Sequence, residues 1–385
     1  MRIHRTGRFL ARHFKEQFIK RNVKRTSSGR DLVVYCEDCG FTWHPGTKGF
    51  GGSEEAVINL TRELTKLGWN TTVYNNCGHK PVVDAGVTYR PWWEFNPRDK
   101  QDAVIIWRWP KANWSINAEK IFIDLHDVMD GRALSEENGI GRFTRIFFKS
   151  QFHRSFCPNL PDEKVAVIPN GLDFTLLDGE ECRDPYLLIN TSSPDRSMNV
   201  LPRLFREVKW RVPQARLQWA YGWELFQLFN AQNRTKLEWM RRTQKEMDDA
   251  GIETMGHLAQ PDVAKLYRRA AILAYPTEFA EIDCISVRKA QACGCVPITS
   301  DFGALAESVQ FGMKVPVPKR NLWTEGNRFH FGIDDAASQR LWIDATVHLL
   351  TSPTERSELA AQGASWARQF AWPSIGARWD DFLRG

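Results

Sequence analysis

The densest concentration of potential chemistry lies between Ala274 and Glu307, AYPTEFAEIDCISVRKAQACGCVPITSDFGALAE. An apolar strand runs into a polar loop, then a helix, then Gly294, then a second strand. A helix that begins after such a loop offers unpaired N–H groups and the positive end of its dipole, a combination that favours phosphate. Glu281 lies just before this helix, where a carboxylate can accept hydrogen bonds from sugar hydroxyls. The plainer reading is one more strand–helix–strand crossover with a solvated loop. Elsewhere, Cys36-x-x-Cys39 with Cys77 and His79 invites a metal reading, but the spacing is not that of a zinc ribbon, and strand-end thiols are the default. His126, beside Asp127, ends a strand and can serve as a general base or a hydrogen-bonding group. A lone histidine there is more often a satisfied polar residue.

These residues need elements to hold them. Asp31–Asp38 reads as a buried strand, followed by a loop with Gly46, Gly49, Gly51 and Gly52. Ser53 is the expected N-cap of a helix over Glu54–Leu67, with Ala56, Leu60, Leu64 and Leu67 at helical spacing, and Gly68 stops it. Asn70–Tyr74, Ala103–Trp107, Lys120–Leu125 and Val165–Ile168 are further strands. After a turn-rich stretch the theme repeats. Strands are expected at Tyr186–Asn190, Arg216–Tyr221, Ile252–Met255, Ala271–Tyr275 and Val296–Thr299. The intervening helices are expected from about Met198, over Arg234–Asp249, over Val263–Ala270 and near Ser286–Cys293. Such alternation predicts an α/β chain with two Rossmann-like, doubly wound domains facing a cleft. The expected boundaries are a basic tail at 1–30, a first domain at 31–172, a linker at 173–185, a second domain at 186–364, and a C-terminal segment at 365–385. That last segment is a helix packing back toward the first domain, with Ile375, Trp379 and Phe382 on one side.

Six stretches in register resemble glycosyltransferase family 4, retaining enzymes of the GT-B fold. They are Gly51-Gly52-Ser53-Glu54, the strand Ile123–Asp127 ending at His126, Val167–Asp173 (VIPNGLD), Gly256 with Leu266-Tyr267 and Ala270, Pro276 to Glu281, and the helix ending at Gly294. The resemblance covers about residues 31–380. It implies transfer of a sugar, with retention, from a nucleotide diphosphate-sugar to a glycan or lipid-linked acceptor, without metal and without any cofactor beyond the donor itself. Surface polysaccharide assembly, including lipopolysaccharide, is the implied setting. It implies catalytic roles for His126, Glu281 and Arg196, the last at the position of a phosphate-binding lysine. It also implies donor contacts from Gly51, Gly52, Asn190, Ser193, Arg196, Cys284, Ile285, Ser286 and Lys289.

Two positions depart from the pattern. Asn190 stands where a second basic residue is expected, and Lys289 replaces the second Glu of the Glu-x7-Glu pair. A lysine donates to a ribose hydroxyl but cannot accept from it. At a helix start it also opposes the dipole and spoils a capping box begun by Ser286. Lys289 therefore contacts a phosphate or a sugar carboxylate, or another acceptor such as Glu278 or Asp283 reads the ribose, or the chain is a non-catalytic sugar-nucleotide- or glycan-binding relative.

Composition fits an ordinary globular protein. Of 385 residues, 42% are hydrophobic and 25% charged, which excludes a disordered chain. No apolar run reaches the ~18 residues of a membrane span. The net charge of +6 is concentrated at one end: residues 1–30 hold ten Lys/Arg against Glu16, a charge of +9, and the remainder is −3. No apolar core follows these basic residues, so they do not read as a signal peptide, and an uncleaved cytoplasmic protein is expected. Within residues 1–25, Leu10, Phe14 and Phe18 recur every four positions among basic residues, the composition of a helix lying on an anionic membrane. The alternative is a solvated helix docked on the acidic body. Nucleic acid is a weaker partner, with no aromatic–basic motif behind it. Sixteen Trp is a high count. Trp92, Trp93, Trp107 and Trp109 fall where loops of an acceptor-side domain are expected, so some can stack on sugar or lipid while most form core.

Overall fold

The computed structural model describes residues 28–47, 51–109, 115–128, 134, 140–318 and 329–385. The tail at 1–27, and with it the membrane-binding expectation, lies outside the described residues. No helix among them is long and apolar enough to cross a membrane. The chain divides into two units, residues 1–171 with 372–385, and residues 172–371.

Unit 1 is built from β1 (Asp31–Glu37), α1 (Gly52–Lys66), β2 (Asn70–Asn75), β3 (Val82–Asp84), β4 (Val87–Pro91), β5 (Gln101–Trp107), β6 (Ala118–Asp124), β7 (Arg145–Phe148), α2 (Gln151–Ser155) and β8 (Val165–Val167). Among the described residues these strands form one sheet in the order β3-β4-β2-β1-β5-β6-β7-β8. All neighbours are parallel except β3 with β4. The central strands are continuous apolar runs because both faces of a parallel sheet are covered: Leu32–Cys36 and Ala103–Trp107 are buried throughout. Gly51, rather than Ser53, is the N-cap of α1, and no side chain caps it; Glu54 and Glu55 occupy the first turn and favour the dipole instead. The β3–β4 hairpin turns on Ala85 and Gly86, both at positive φ (46° and 81°), the geometry of a type I′ turn.

Unit 2 begins with α3 (Phe174–Leu177), then β9 (Asp184–Asn190), α4 (Pro194–Ser197), α5 (Leu201–Arg211), β10 (Arg216–Trp219), α6 (Glu224–Asn230), α7 (Arg234–Ala250), β11 (Ile252–Thr254), α8 (Gln260–Arg269), β12 (Ala270–Tyr275), α9 (Ile285–Ala292), β13 (Val296–Ser300), α10 (Leu305–Ser308), β14 (Met313–Val315), α11 (Ala336–Thr351) and α12 (Pro353–Ala367). Its sheet runs β11-β10-β9-β12-β13-β14, all parallel. The segment 173–185, expected as a linker, is instead part of this body. Asp173 caps α3 by accepting from Thr175 N–H at 3.0 Å, Leu177 is buried, and the Arg368 guanidinium clamps Asp178 with two hydrogen bonds of 3.0 and 2.6 Å. Turn-type residues there serve as caps, which composition does not distinguish from a linker.

The last helix, α13 (Trp372–Arg384), belongs to unit 1, whereas residues 365–371 belong to unit 2. Trp372, Ile375, Trp379 and Leu383 are buried in the same core as Leu64 and Val73, and the Trp69 indole donates to Asp380 at 2.8 Å. A Cβ at Gly171 would run into the Trp372 ring, so α13 seats on unit 1 only because the VIPNGLD stretch carries glycine there.

Candidate active site

In unit 2, β9 and β12 are neighbours at the sheet centre, so the loops after them leave from the same edge. Ligands of open parallel sheets bind at that carboxyl edge. The loop after β9 carries Ser193 and leads into α4 with Arg196; the loop after β12 carries Phe279 and Glu281. The two meet. Arg196 Nε lies 3.9 Å from Glu281 Oε1, and the guanidinium stacks over the Phe279 ring, 3.1 Å from its centroid. The Tyr275 hydroxyl donates to Glu281 Oε1 at 2.5 Å. Thr277 Oγ1 donates to the Arg196 carbonyl at 2.7 Å, fixing the two loops to each other, and Phe331 N–H, from the segment before α11, donates to the Asp195 carbonyl at 2.7 Å. Burial raises the Glu281 carboxyl above its ordinary value, against the pull of Arg196 and the Tyr275 hydroxyl. Asp195 and Glu281 hold the Arg196 guanidinium charged in spite of its burial. The result is a carboxylate and a planar cation, both partly accessible, side by side at a strand edge.

The start of α9 lies in the same loop. Its N-cap, Cys284, adopts left-handed backbone at φ 59°, an uncommon conformation for a residue with a side chain. It delivers Ile285 and Ser286 as the first two helical residues, whose N–H groups have no place in the helical ladder. Ser286 is therefore not the cap that its sequence suggests.

Three residues expected at the donor site have partners within the fold. Asn190 is fully buried, and its amide donates to the Ala274 carbonyl at 2.8 Å and to Ser197 Oγ at 3.1 Å while its oxygen accepts from Ser192 N–H at 3.0 Å. It ties the β9 loop to β12, a role inside the fold rather than a donor contact. Ser193 Oγ donates to Asp195, so it too is engaged locally. Lys289 stands not in the first turn of α9 but in its last, because the helix is only eight residues long. There a cation complements the dipole. Its ammonium donates to Gln260 Oε1 of α8 at 2.9 Å, and the residue is buried. Of the two acceptors expected to stand in for the missing Glu, Glu278 accepts from Asp334 N–H at 3.1 Å, and Asp283 is ion-paired with Arg288 in the interior. Lys289→Met is accordingly expected to lower unfolding stability by about 1–2 kcal/mol through the orphaned Gln260. Calorimetric nucleotide affinity should be unchanged; a loss of affinity would return Lys289 to the ligand site.

His126 belongs to unit 1, where it follows β6. Its Nε2 lies 2.8 Å from Asp124 Oδ2, and Lys149 Nζ lies 2.5 Å from Asp124 Oδ1. All three side chains are at most 5% exposed. Burial pushes the His126 imidazole below its ordinary value, while the Lys149 charge and the hydrogen bond to His126 hold the Asp124 carboxyl low against burial. Where Nε2 donates to Asp124, Nδ1 is left as the accepting nitrogen. Sequence reasoning missed Asp124 and Lys149; the signal was the i, i+2 spacing that puts Asp124 and His126 on one side of an extended chain. It also missed Tyr275 and Phe279, which periodicity assigns simply to core. Gly51 and Gly52 open α1 in the same unit. Cys36 and Cys39 are free thiols, and among the described residues no three His, Cys, Asp or Glu side chains cluster as metal ligands.

A second histidine, His153, caps the arrangement. Its Nδ1 accepts from Lys149 N–H at 3.2 Å, so Nε2 carries the proton and donates to the Asp127 carbonyl at 3.1 Å. Burial lowers its pKa from 6.5 to about 4. The unfolded chain therefore takes up a proton before the native state does, and the contribution of His153 is complete above pH 6.5 and lost as pH falls toward 4. Wild type is expected to lose more stability across that window than His153→Phe, measured by urea unfolding; equal slopes would contradict the assignment.

No family model matches the chain. Over 110 residues it is 31% identical to a D-inositol 3-phosphate glycosyltransferase from Rhodococcus erythropolis, a stretch covering 29% of this chain and 21% of that protein. The match thus spans about a fifth of that relative's length. Among solved structures, sucrose-phosphate synthase from Thermosynechococcus elongatus aligns with 92% of this chain and 98% of its own, at 13% identity and a TM-score of 0.67. HepE from Anabaena, solved with UDP-glucose, aligns with 92% of this chain and 99% of its own, at 12% identity and a TM-score of 0.64. The two parallel-sheet units are those of the GT-B fold, and the chain resembles the family 4 glycosyltransferases.

Proposed function

We propose that the chain is a retaining, metal-independent glycosyltransferase that takes a nucleotide diphosphate-sugar as donor and a glycan or lipid-linked molecule as acceptor. The observation that carries this reading is the convergence of Arg196, Glu281 and the first amides of α9 at one sheet edge of unit 2. A departing diphosphate needs preorganised positive charge. Arg196 supplies a fork that matches phosphate oxygens, and the Ile285 and Ser286 amides supply donors. Glu281, anchored through Oε1 by the Tyr275 hydroxyl, presents its carboxylate to sugar hydroxyls. His126, 2.8 Å from Asp124, gives unit 1 a buried imidazole for hydrogen bonding. HepE was solved with UDP-glucose, which makes that compound the first to try.

The test is release of nucleoside diphosphate from UDP-, GDP- and ADP-sugars by purified protein, with the anomeric configuration of the sugar product read by NMR. Release with retention supports the reading, and inversion removes the retaining assignment. Nucleotide binding without any release would instead favour the non-catalytic relative.

A further inference from the structure

Behind the donor edge, unit 2 buries an ion pair that the chemistry proposed above does not touch. Asp283 and Arg288 are 2% and 4% exposed, and Arg288 Nη1 donates to Asp283 Oδ1. The pair reaches from the loop after β12 into α9. Between its members stands Cys284, whose left-handed backbone at φ 59° delivers Ile285 and Ser286 to the start of the helix. A residue with a side chain keeps such a conformation only where its surroundings over-determine it. Three contacts do so here. The Asp283 side chain is tied forward to Arg288, and the Asp283 carbonyl accepts from Ser308 Oγ. The Cys284 carbonyl accepts from Val287 N–H at 3.2 Å. The peptide before Cys284 and the helix after it are thus both fixed, and the Cys284 backbone must close the gap between them.

The anchors are themselves held. The Arg288 guanidinium lies 4.5 Å from the centroid of the Phe370 ring, its Nη2 reaches Ser308 Oγ at 3.5 Å, and Gln291 Nε2 donates to the Ser308 carbonyl at 2.8 Å. A buried ion pair is a poor way to stabilise a core, because apolar residues of similar volume often do as well or better. What it supplies is direction: a guanidinium and a carboxylate fix an orientation that apolar packing leaves free. We propose that Asp283 and Arg288 are positioning residues for the donor site, and that their pairing holds Cys284 left-handed so that the Ile285 and Ser286 amides stay directed at the diphosphate. The inference rests on the reading of that edge as the diphosphate site.

The test removes both charges together in the full chain, as Asp283→Leu with Arg288→Met, so that neither is left buried and alone. Three quantities are measured: the urea midpoint, calorimetric affinity for UDP, GDP and ADP, and the rate at which iodoacetamide alkylates Cys284. Burial shields that thiol and pushes its pKa up, so it reacts only when the loop opens, and the exposed Cys182 is the internal reference. The double variant should unfold at or above the wild-type midpoint, yet bind nucleoside diphosphate ~10-fold more weakly and alkylate at Cys284 ~10-fold faster. Arg288→Lys, which keeps the charge without the fork, should show both effects at ~3-fold. Adding Cys284→Gly to the double variant should restore most of the affinity, because glycine takes positive φ without strain; a merely structural pair would give no such rescue. Two outcomes overturn the inference: the double variant and Arg288→Lys both keep wild-type affinity and Cys284 protection, or Cys284→Gly restores nothing. A wild-type chain that binds no nucleoside diphosphate loses the transferase reading, and Cys284 alkylation then decides by itself whether the pair holds the loop.

Discussion

Glu281→Gln is expected to lower turnover by ~10²–10³-fold, the range for removing one preorganised group that acts at the reacting centre. The amide can still accept from the Tyr275 hydroxyl through its oxygen, so the loop should keep its shape. What disappears is the negative charge beside Arg196 and one acceptor for sugar hydroxyls. Thermal unfolding should therefore be nearly unchanged while diphosphate release collapses. Near-normal turnover in a folded variant would remove Glu281 from the chemistry.

Arg196→Ala is expected to weaken nucleoside diphosphate binding by ~10–100-fold, the equivalent of ~1.5–3 kcal/mol for a hydrogen bond to a charged group. Only a quarter of the guanidinium side chain is exposed, and Phe279 and Glu281 fix its plane. An approaching diphosphate thus meets a cation that has little rotamer freedom left to lose. Arg196→Lys should recover part of the affinity, because it restores the charge without the fork or the stacking. Unchanged calorimetric affinity in Arg196→Ala would leave the residue as an ordinary member of the loop.

Much of this was legible from residue order. Apolar runs such as Ala270–Tyr275 and Ala103–Trp107, separated by helical periods, announce parallel sheets, because a strand covered on both faces has no polar side to alternate with. Glu281 and Arg196 were legible as types in loops after strands. Their mutual distance was not, since it depends on β9 and β12 being neighbours although about 80 residues separate them. The β3–β4 hairpin was missed because Asp-Ala-Gly lacks the usual Asn-Gly signal and places an alanine at positive φ. Lys289 was misread for want of one helix boundary: a start at Ile285 and an end at Ala292 move it from the first turn to the last and reverse its relation to the dipole. Asn190 shows the same limit from the other side. A polar residue at a strand end looks like a ligand contact until the β12 carbonyl that it bonds is in view.

The claim on which all of this depends is that unit 2 holds a nucleotide diphosphate at the edge where β9 and β12 end. The most direct measurement is a crystal structure of the full chain soaked in turn with UDP, GDP and ADP. The account predicts one nucleotide bound with its diphosphate within hydrogen-bonding distance of the Arg196 guanidinium and of the Ile285 and Ser286 amides, with Glu281 facing the position of the departing sugar. A nucleotide bound elsewhere, or a diphosphate that leaves Arg196 stacked on Phe279 and out of reach, would contradict it.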